Sequence, residues 1–167
     1  MFVIIMGVSG SGKNTVGELL AARLDCPFYD ADLFHPPANI AKMSAGVPLD
    51  DADRLGRLHA LADIIRQGLA ADQCGVIACS ALKQSCRNVL AVDPQQVHFV
   101  YLKGHYDLIW KRMLRRQDHY MKASMLQSQF ATLEEPIDPF TVDIAQKPPQ
   151  IVDAIPAHLA SGTESAS

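Results

Sequence analysis

The sequence lacks several features, and each absence excludes a class of protein. No apolar run approaches the ~18 residues that a membrane-spanning helix needs, so no transmembrane segment is predicted. No basic excess is present: 15 Lys and Arg against 18 Asp and Glu give a net charge of −3, which disfavours a general nucleic-acid binder. The apolar start at Phe2–Met6 is too short for a signal peptide and lacks a basic region before it. The cysteines form no CxxC pair and are predicted to be buried, reduced thiols of a cytoplasmic protein rather than zinc ligands; they are Cys26, Cys74, Cys79 and Cys86.

Alternating short apolar runs and amphipathic stretches fill most of the 167 residues. The runs are predicted to be buried parallel strands at Phe2–Met6, Cys26–Tyr29, Gly75–Cys79, Val97–Leu102 and Phe140–Ile144. Apolar residues recur at helical spacing within 16–24, 55–69, 108–114 and 125–133. Pro156 counts against a last helix near 149–159, and 161–167 is predicted to be a flexible tail. The pattern predicts one α/β domain over 1–167, with helices on both faces of a parallel sheet.

The strongest motif is a glycine-rich loop that fits GxxxxGK and lies between the first strand and a helix. Glycines let the backbone turn tightly so that successive N–H groups face phosphate oxygens, and the next helix presents its positive end to the same anion. The predicted nucleotide-binding residues are Gly7, Val8, Ser9, Gly10, Ser11, Gly12, Lys13, Asn14 and Thr15. Lys13 is also predicted to act on the terminal phosphates as a catalytic cation. The alternative is a glycine-rich turn that contains a lysine by chance.

Two carboxylates follow the second predicted strand, at the sheet edge where parallel sheets bind ligands. Asp32 is a candidate base for the proton of an attacking hydroxyl. Asp30 and Asn14 are candidate magnesium ligands, with Asn14 standing where Ser or Thr normally ligates the ion. The alternative for Asp30 and Asp32 is an acidic turn that caps a helix.

Cations later in the chain could bind an acidic acceptor and the transferring phosphoryl group. Arg54 can bind a carboxylate with its planar guanidinium, or it forms a surface ion pair with Asp50 or Asp51. Ser80 and Lys83 follow the third strand, and they either contact the acceptor or begin and solvate a helix.

A second group of cations lies on a predicted helix farther along the chain. Helical spacing places Arg112, Arg115 and Arg116 on nearly one side, so they can spread charge over a phosphoryl group, or they are solvated at a helix end. Arg112 and Arg116 are the candidate catalytic pair. His119 fits a packing or capping role better than a catalytic one.

Together these segments resemble the gluconate kinases (gluconokinases), small phosphate-loop enzymes that phosphorylate gluconate from ATP. The resemblance covers residues 2–144 and rests, in order, on GVSGSGK, DADLFHPPANIAKMSAGVPLDDADR, ACSALKQSCR, FVYLKG and RRQDHYMKASMLQSQFATLEEP. It implies an adenylate-kinase-like fold with a five-stranded parallel sheet and a mobile lid over 112–133. It also implies ATP and Mg²⁺ as cofactors, 6-phosphogluconate as product, a cytoplasmic location and a homodimer. By motif position, the residues around the acceptor are Asp32, His35, Lys42, Arg54, Ser80, Lys83, Arg87 and Gln129.

The chain departs from the family pattern at three places. Asn14 replaces the usual Ser or Thr, Arg57 lies in a Leu-Gly-Arg-Leu run where the family commonly has a Pro-Trp pair, and Tyr120 replaces Phe. Two other functions stay open at this point: a kinase for another small hydroxy acid, since Arg54 would bind any carboxylate, and a nucleotide-binding module with little turnover, which Asn14 suggests.

Overall fold

A five-stranded parallel sheet forms the centre of the fold. The computed structural model describes residues 1–45, 50–115, 123–137 and 139–162. The strands are β1 (Phe2–Met6), β2 (Phe28–Asp30), β3 (Gly75–Ala78), β4 (Val97–Lys103) and β5 (Phe140–Asp143). Their order across the sheet is β2-β3-β1-β4-β5, and every neighbouring pair is parallel. The five-stranded parallel sheet predicted from the sequence is confirmed.

Seven helices connect or flank these strands within the described ranges. They are α1 (Lys13–Leu24), α2 (Pro37–Ser44), α3 (Asp51–Ala70), α4 (Gln84–Leu90), α5 (Tyr106–Arg115), α6 (Ala123–Thr132) and α7 (Pro148–Gly162), and a short 3₁₀ helix spans Ala31–Leu33. The four periodic segments are confirmed as helices α1, α3, α5 and α6. Among the described helices, none is long and apolar enough to cross a membrane.

The last helix is present although Pro156 lies inside it, so the expectation drawn from this proline was wrong. Ile151, Val152 and Ile155 of this helix are buried in the core, so packing of its apolar face outweighs the backbone hydrogen bond that proline removes. The helix also takes in the first two residues of the predicted tail, and residues 163–167 lie outside the described ranges.

Side chains of β1 alternate between two apolar clusters on opposite faces of the sheet. Val3 and Ile5 pack in the cluster that α1, α5, α6 and α7 cover. Phe2, Ile4 and Met6 pack in the cluster that α3 and α4 cover. Alternation is the normal side-chain period of a strand, and burial on both faces explains why the whole strand is apolar. Helices on both faces are thereby confirmed.

The cysteine prediction was wrong for one pair. Cys26 and Cys74 form a disulfide, with Cα atoms 5.5 Å apart. The two residues lie shortly before β2 and β3, which are parallel neighbours in the sheet. The pairing of these strands brings the cysteines side by side although 48 residues separate them in the sequence. Cys79 and Cys86 are free thiols, and burial raises the pKa of Cys79.

Candidate active site

The carboxyl ends of three adjacent strands bring the predicted nucleotide and acceptor residues to one edge of the sheet. β1 ends at the glycine-rich loop, β2 at Asp30 and Asp32, and β3 just before Ser80. The loop is joined to this edge directly, since the Gly7 N–H donates to the carbonyl of Ser80 at 3.3 Å. Ligands of parallel α/β sheets bind beyond this edge, so the topology assembles the predicted site.

The loop backbone has the conformation that a phosphate-binding loop requires. Gly7, Gly10 and Gly12 have φ values of 149°, 79° and 95°, in the region that favours glycine. A Cβ on Gly10 would lie 2.8 Å from Cγ of Met113, so the loop also packs closely against α5. The hydroxyl oxygen of Ser11 is buried without a hydrogen-bond partner. An unpaired buried hydroxyl in a glycine-rich loop at the start of a helix fits a loop that binds an anion.

Lys13 is the first residue of α1, and its side chain turns back over the loop. Its Nζ donates to the carbonyl of Val8 at 3.0 Å. The pKa of Lys13 lies below its usual range, because burial of the ammonium outweighs the attraction of Asp32, Cys79 and Asp30. A phosphate group here would supply the negative charge that favours the ammonium form.

The two predicted magnesium ligands are in direct contact. Nδ2 of Asn14 donates to Oδ2 of Asp30 at 2.6 Å. The other oxygen of Asp30 accepts from the N–H of Asp32 at 2.9 Å, so Asp30 also caps the 3₁₀ helix, as the alternative interpretation expected. Among the described residues, no group of three or more His, Cys, Asp or Glu could hold a metal alone. Mg²⁺ commonly binds through one or two protein oxygens plus substrate phosphates, so this pair fits it.

Asp32 presents an exposed carboxylate between two cations. Its side chain is 75% exposed, and Oδ1 lies 3.4 Å from Nη1 of Arg57. Lys13 also interacts electrostatically with Asp32 from the loop side. Within the described residues, Oδ2 of Asp32 has no hydrogen-bond partner, which leaves it available to an acceptor. Nδ1 of His35, two residues beyond the 3₁₀ helix, is buried without a partner.

Lys42 is held at the start of α3 by two carboxylates. Its Nζ lies 2.8 Å from Oδ1 of Asp53 and 3.8 Å from Oδ2 of Asp50. The hydrogen bond to Asp53 raises the pKa of Lys42, and the same bond lowers the pKa of Asp53. Asn39 donates from Nδ2 to the carbonyl of Asp53, which ties α2 to the same turn. These contacts place Lys42 firmly, and its contact with an acceptor stays a prediction.

Arg54 forms the surface ion pair that the sequence left open as its alternative role. Nη1 lies 3.1 Å from Oδ1 of Asp51, one turn back on α3, and the Arg54 side chain is 64% exposed. Such pairs contribute little to stability, so the guanidinium can exchange this partner for a substrate carboxylate. Its role in substrate binding stays a prediction.

Arg87 is buried and bonded to its own loop. Nη1 donates to the carbonyls of Ala81 and Leu82 at 2.9 and 3.1 Å, and Nη2 donates to Oε1 of Gln84 at 2.9 Å. Burial lowers the pKa of Arg87, although nearby Glu134 acts in the opposite direction. The structure therefore shows Arg87 supporting the loop after β3, and contact with an acceptor stays a prediction.

Lys83 is exposed where α4 begins, next to the loop that Arg87 supports. It occupies the N-cap position, where its ammonium cannot accept a bond from the helix N–H groups, and the residue is exposed, so it is accessible to a ligand. This placement agrees with both interpretations of Lys83, the helix start and the acceptor contact.

Gln129 of α6 contacts the phosphate loop. Its Oε1 accepts from the Ser9 N–H at 2.7 Å, and its Nε2 donates to the Ser9 hydroxyl at 2.8 Å. The sequence placed Gln129 beside the acceptor, and the structure places it on the loop. The pair joins positions 120 residues apart, so α6 covers one side of the loop.

The predicted catalytic arginines are only partly described. Arg112 donates from Nη2 to the carbonyl of Ile144 at 2.5 Å, so its guanidinium is bonded to the chain after β5. Arg116, His119 and Tyr120 lie outside the described residues, as does the segment 116–122 of the predicted lid.

Comparison with known proteins decides between the kinase families that share this loop. The shikimate kinase family model matches residues 9–159. A probable gluconokinase of Mus musculus is 42% identical over 92% of this chain and 94% of its own length. The crystal structure of a gluconokinase from Sinorhizobium meliloti 1021 is 41% identical, with a TM-score of 0.81, covering 98% of this chain and 93% of the other. This chain belongs to the gluconokinase family.

This gluconokinase-family chain also resembles a shikimate kinase in its fold. A shikimate kinase structure from Aquifex aeolicus covers all of both chains with a TM-score of 0.61, but only 18% of residues are identical. The phosphate-loop kinase fold that the sequence predicted is confirmed by this likeness and by the strand order.

Sequence reasoning missed one side chain that lies in the site. Arg57 was noted only as a departure from the family pattern, and the structure places it beside Asp32. Its position one turn after Arg54 on a predicted helix was the available signal, but helical spacing alone does not show which arginine faces the strand ends.

Proposed function

We propose that this protein catalyses the ATP-dependent phosphorylation of D-gluconate to 6-phosphogluconate by direct in-line transfer. The observation that carries the proposal is the position of the glycine-rich loop with Lys13 and of the exposed carboxylate of Asp32 at the same edge of the sheet. Membership of the gluconokinase family supports gluconate as the acceptor.

The loop residues bind and orient the nucleotide. Backbone N–H groups of the glycine-rich loop and the Ser11 hydroxyl donate to phosphate oxygens, and Lys13 exchanges the Val8 carbonyl for the terminal phosphates. Asn14 and Asp30 would hold Mg²⁺, which neutralises charge on the phosphates when it is bound. Positioning and charge neutralisation supply most of the catalysis in phosphoryl transfer, so these contacts are the main contribution of the loop.

The acceptor lies on the side of Asp32. Oδ2 of this residue is free to accept the proton of the attacking hydroxyl, and a positioned base of this kind contributes about 10²–10⁴-fold to the rate. The acceptor carboxylate requires a cation, for which Lys42, Arg54 and Lys83 are the candidates, all at least partly exposed. His35 and Ser80 supply polar groups at the same edge.

Arg112 and Arg116 are proposed to approach the transferring phosphoryl group when the segment 112–133 closes over the nucleotide. For Arg112 this requires release of the Ile144 carbonyl. A cytoplasmic location and a homodimer are further proposals that family membership supports, and cell fractionation and light scattering test them.

An ADP-release assay with and without gluconate tests the proposed function. We expect ADP release that depends on gluconate, and a fall in kcat of about 10²–10⁴-fold in Asp32→Asn while ATP binding persists. Asp63→Asn is the matched control, since Asp63 is an exposed carboxylate of α3 paired with Arg66. Near-normal turnover in Asp32→Asn would remove Asp32 from the mechanism. Faster ADP release with another sugar acid than with gluconate would indicate that this acid is the substrate. Absence of ADP release with every acid tested would indicate a nucleotide-binding module.

A further inference from the structure

Arg57 differs from the other two arginines of α3 in its environment. The side chains of Arg54 and Arg66 are 64% and 55% exposed, and each pairs with a carboxylate three residues earlier on the same helix. Arg57 is only 23% exposed, and its partner is Asp32, which belongs to a different element 25 residues away in sequence. The ion pair therefore joins α3 to the end of β2, at the candidate acceptor site.

The guanidinium of Arg57 is also incompletely bonded. Its Nε is buried without a hydrogen-bond partner, one of three such side-chain atoms in the described parts of the chain. The other two belong to Ser11 of the phosphate loop and to His35 of the acceptor side. Buried polar groups without partners are rare and need an explanation, and all three of these lie in the candidate site.

Binding of ATP changes the charge around Asp32. Lys13, the cation on the loop side, is needed by the phosphates once the nucleotide is bound. The phosphates then place further negative charge near Asp32. Of the two cations that interact with Asp32, Arg57 is the one that remains for it.

We propose that Arg57 is a positioning residue for Asp32, which it holds through Oδ1 so that Oδ2 faces the acceptor hydroxyl. This inference rests on the proposed function and deepens it, because it names the group that orients the base. Arg57 touches neither the nucleotide nor the transferring group in this role. Its effect on kcat depends on Asp32. A purely structural role would lower kcat whether or not Asp32 is present, so the two roles can be distinguished.

A double-mutant cycle on kcat tests the proposal. The proteins are the wild type, Arg57→Gln, Asp32→Asn and the double variant, with Arg66→Gln as the matched control on the same helix. We expect Arg57→Gln to lower kcat about 10- to 100-fold, since misplacement by about 1 Å has effects of this size, with the KM for ATP unchanged. In the Asp32→Asn background the same substitution should change kcat less than about twofold, because the residue through which it acts is already altered.

Three results would overturn the proposal while the proposed function stands. Equal fold-losses in both backgrounds would mean that Arg57 does not act through Asp32, and an unchanged kcat in Arg57→Gln would mean that it does not act at all. If Arg57→Gln fails to fold, Arg57→Met, which keeps the apolar stem and has no donor, replaces it in the cycle, and failure of that variant to lower kcat in a manner that depends on Asp32 also overturns the proposal. A wild type without gluconate-dependent ADP release would instead overturn the proposed function, and this inference with it.

Discussion

Replacement of Asn14 by serine should lower the Mg²⁺ concentration needed for activity. In the structure, the amide of Asn14 donates to Asp30 at 2.6 Å, so the carboxylate that would hold the ion is already bonded. Serine removes this competing donor and supplies a short-armed hydroxyl oxygen, which suits the compact octahedral ligation of Mg²⁺. The structure thus gives a reason, beyond the length of the side chain, why we expect serine to suit Mg²⁺ better than asparagine at this position.

The size of the effect follows from the hydrogen bond that must break. A net hydrogen bond contributes about 0.5–1.5 kcal/mol, and exposure of Asn14 argues against a larger value. Since 1.4 kcal/mol corresponds to a factor of ten, the half-saturating Mg²⁺ concentration should fall about two- to tenfold in Asn14→Ser. We also expect kcat to rise, while metal-free nucleotide binding changes little, because loop N–H groups and Lys13 are unaffected.

A magnesium titration of ADP release at fixed ATP and gluconate measures this shift, and calorimetry without metal measures nucleotide binding. Asn88→Ser is the matched control, since Asn88 is an exposed asparagine on α4 that accepts a hydrogen bond from Gln84. If the Asn14→Ser and wild-type curves superimpose, Asn14 ligates the ion competently or neither residue binds it, and the reasoning from the Asp30 contact is refuted.

Three further predictions concern stability, each measured by urea unfolding. Gln129→Ala removes both hydrogen bonds to Ser9 and should lower the free energy of unfolding by about 1–2 kcal/mol; an equal midpoint and slope would contradict this. Gly10→Ala should cost about 1–3 kcal/mol, because its Cβ would meet Met113 at a φ of 79°, and wild-type stability would refute the close packing. Burial lowers the pKa of His98 below 6.5, so the unfolded chain binds more protons and stability falls as the pH drops below that value. His98→Gln should flatten this fall between about pH 7 and 5, and parallel curves would exclude His98 as its source.

The fold was largely predictable because its central strands β1 and β3 are buried along their whole length. Continuous apolar runs such as Phe2–Met6 have few other interpretations in a chain of this size. The second strand, predicted at Cys26–Tyr29, begins two residues later and ends one residue later, at Phe28–Asp30. Its end was missed because Asp30 is polar yet pairs with Ala78 of β3. Helix α2 was not predicted, since its eight residues contain too short an apolar pattern.

The candidate site was predictable where function depends on local sequence. The glycine-rich loop and the position of Asp32 after a strand follow from adjacent residues. The contacts of Arg57 and Gln129 join residues 25 and 120 positions apart, so tertiary packing decides them. The pairing of Cys26 likewise depends on strand order, which is decided by the whole sheet.

The disulfide makes a covalent ring of the part of the chain that carries the candidate acceptor groups. The ring closed by Cys26 and Cys74 contains Asp32, α2 and α3. In the loop-entropy model, closing a ring of this size lowers the entropy of the unfolded chain and so raises the free energy of unfolding by about 4 kcal/mol. Both cysteines precede their strands, so the bond ties the ring at the end of the sheet away from the phosphate loop. The disulfide therefore joins the amino-terminal ends of β2 and β3 and leaves the opposite edge of the sheet, with the candidate site, unconstrained. In a reducing compartment the segment between Cys26 and Cys74 depends on strand pairing and core packing alone. The redox state of the surroundings therefore affects how stable this part of the fold is.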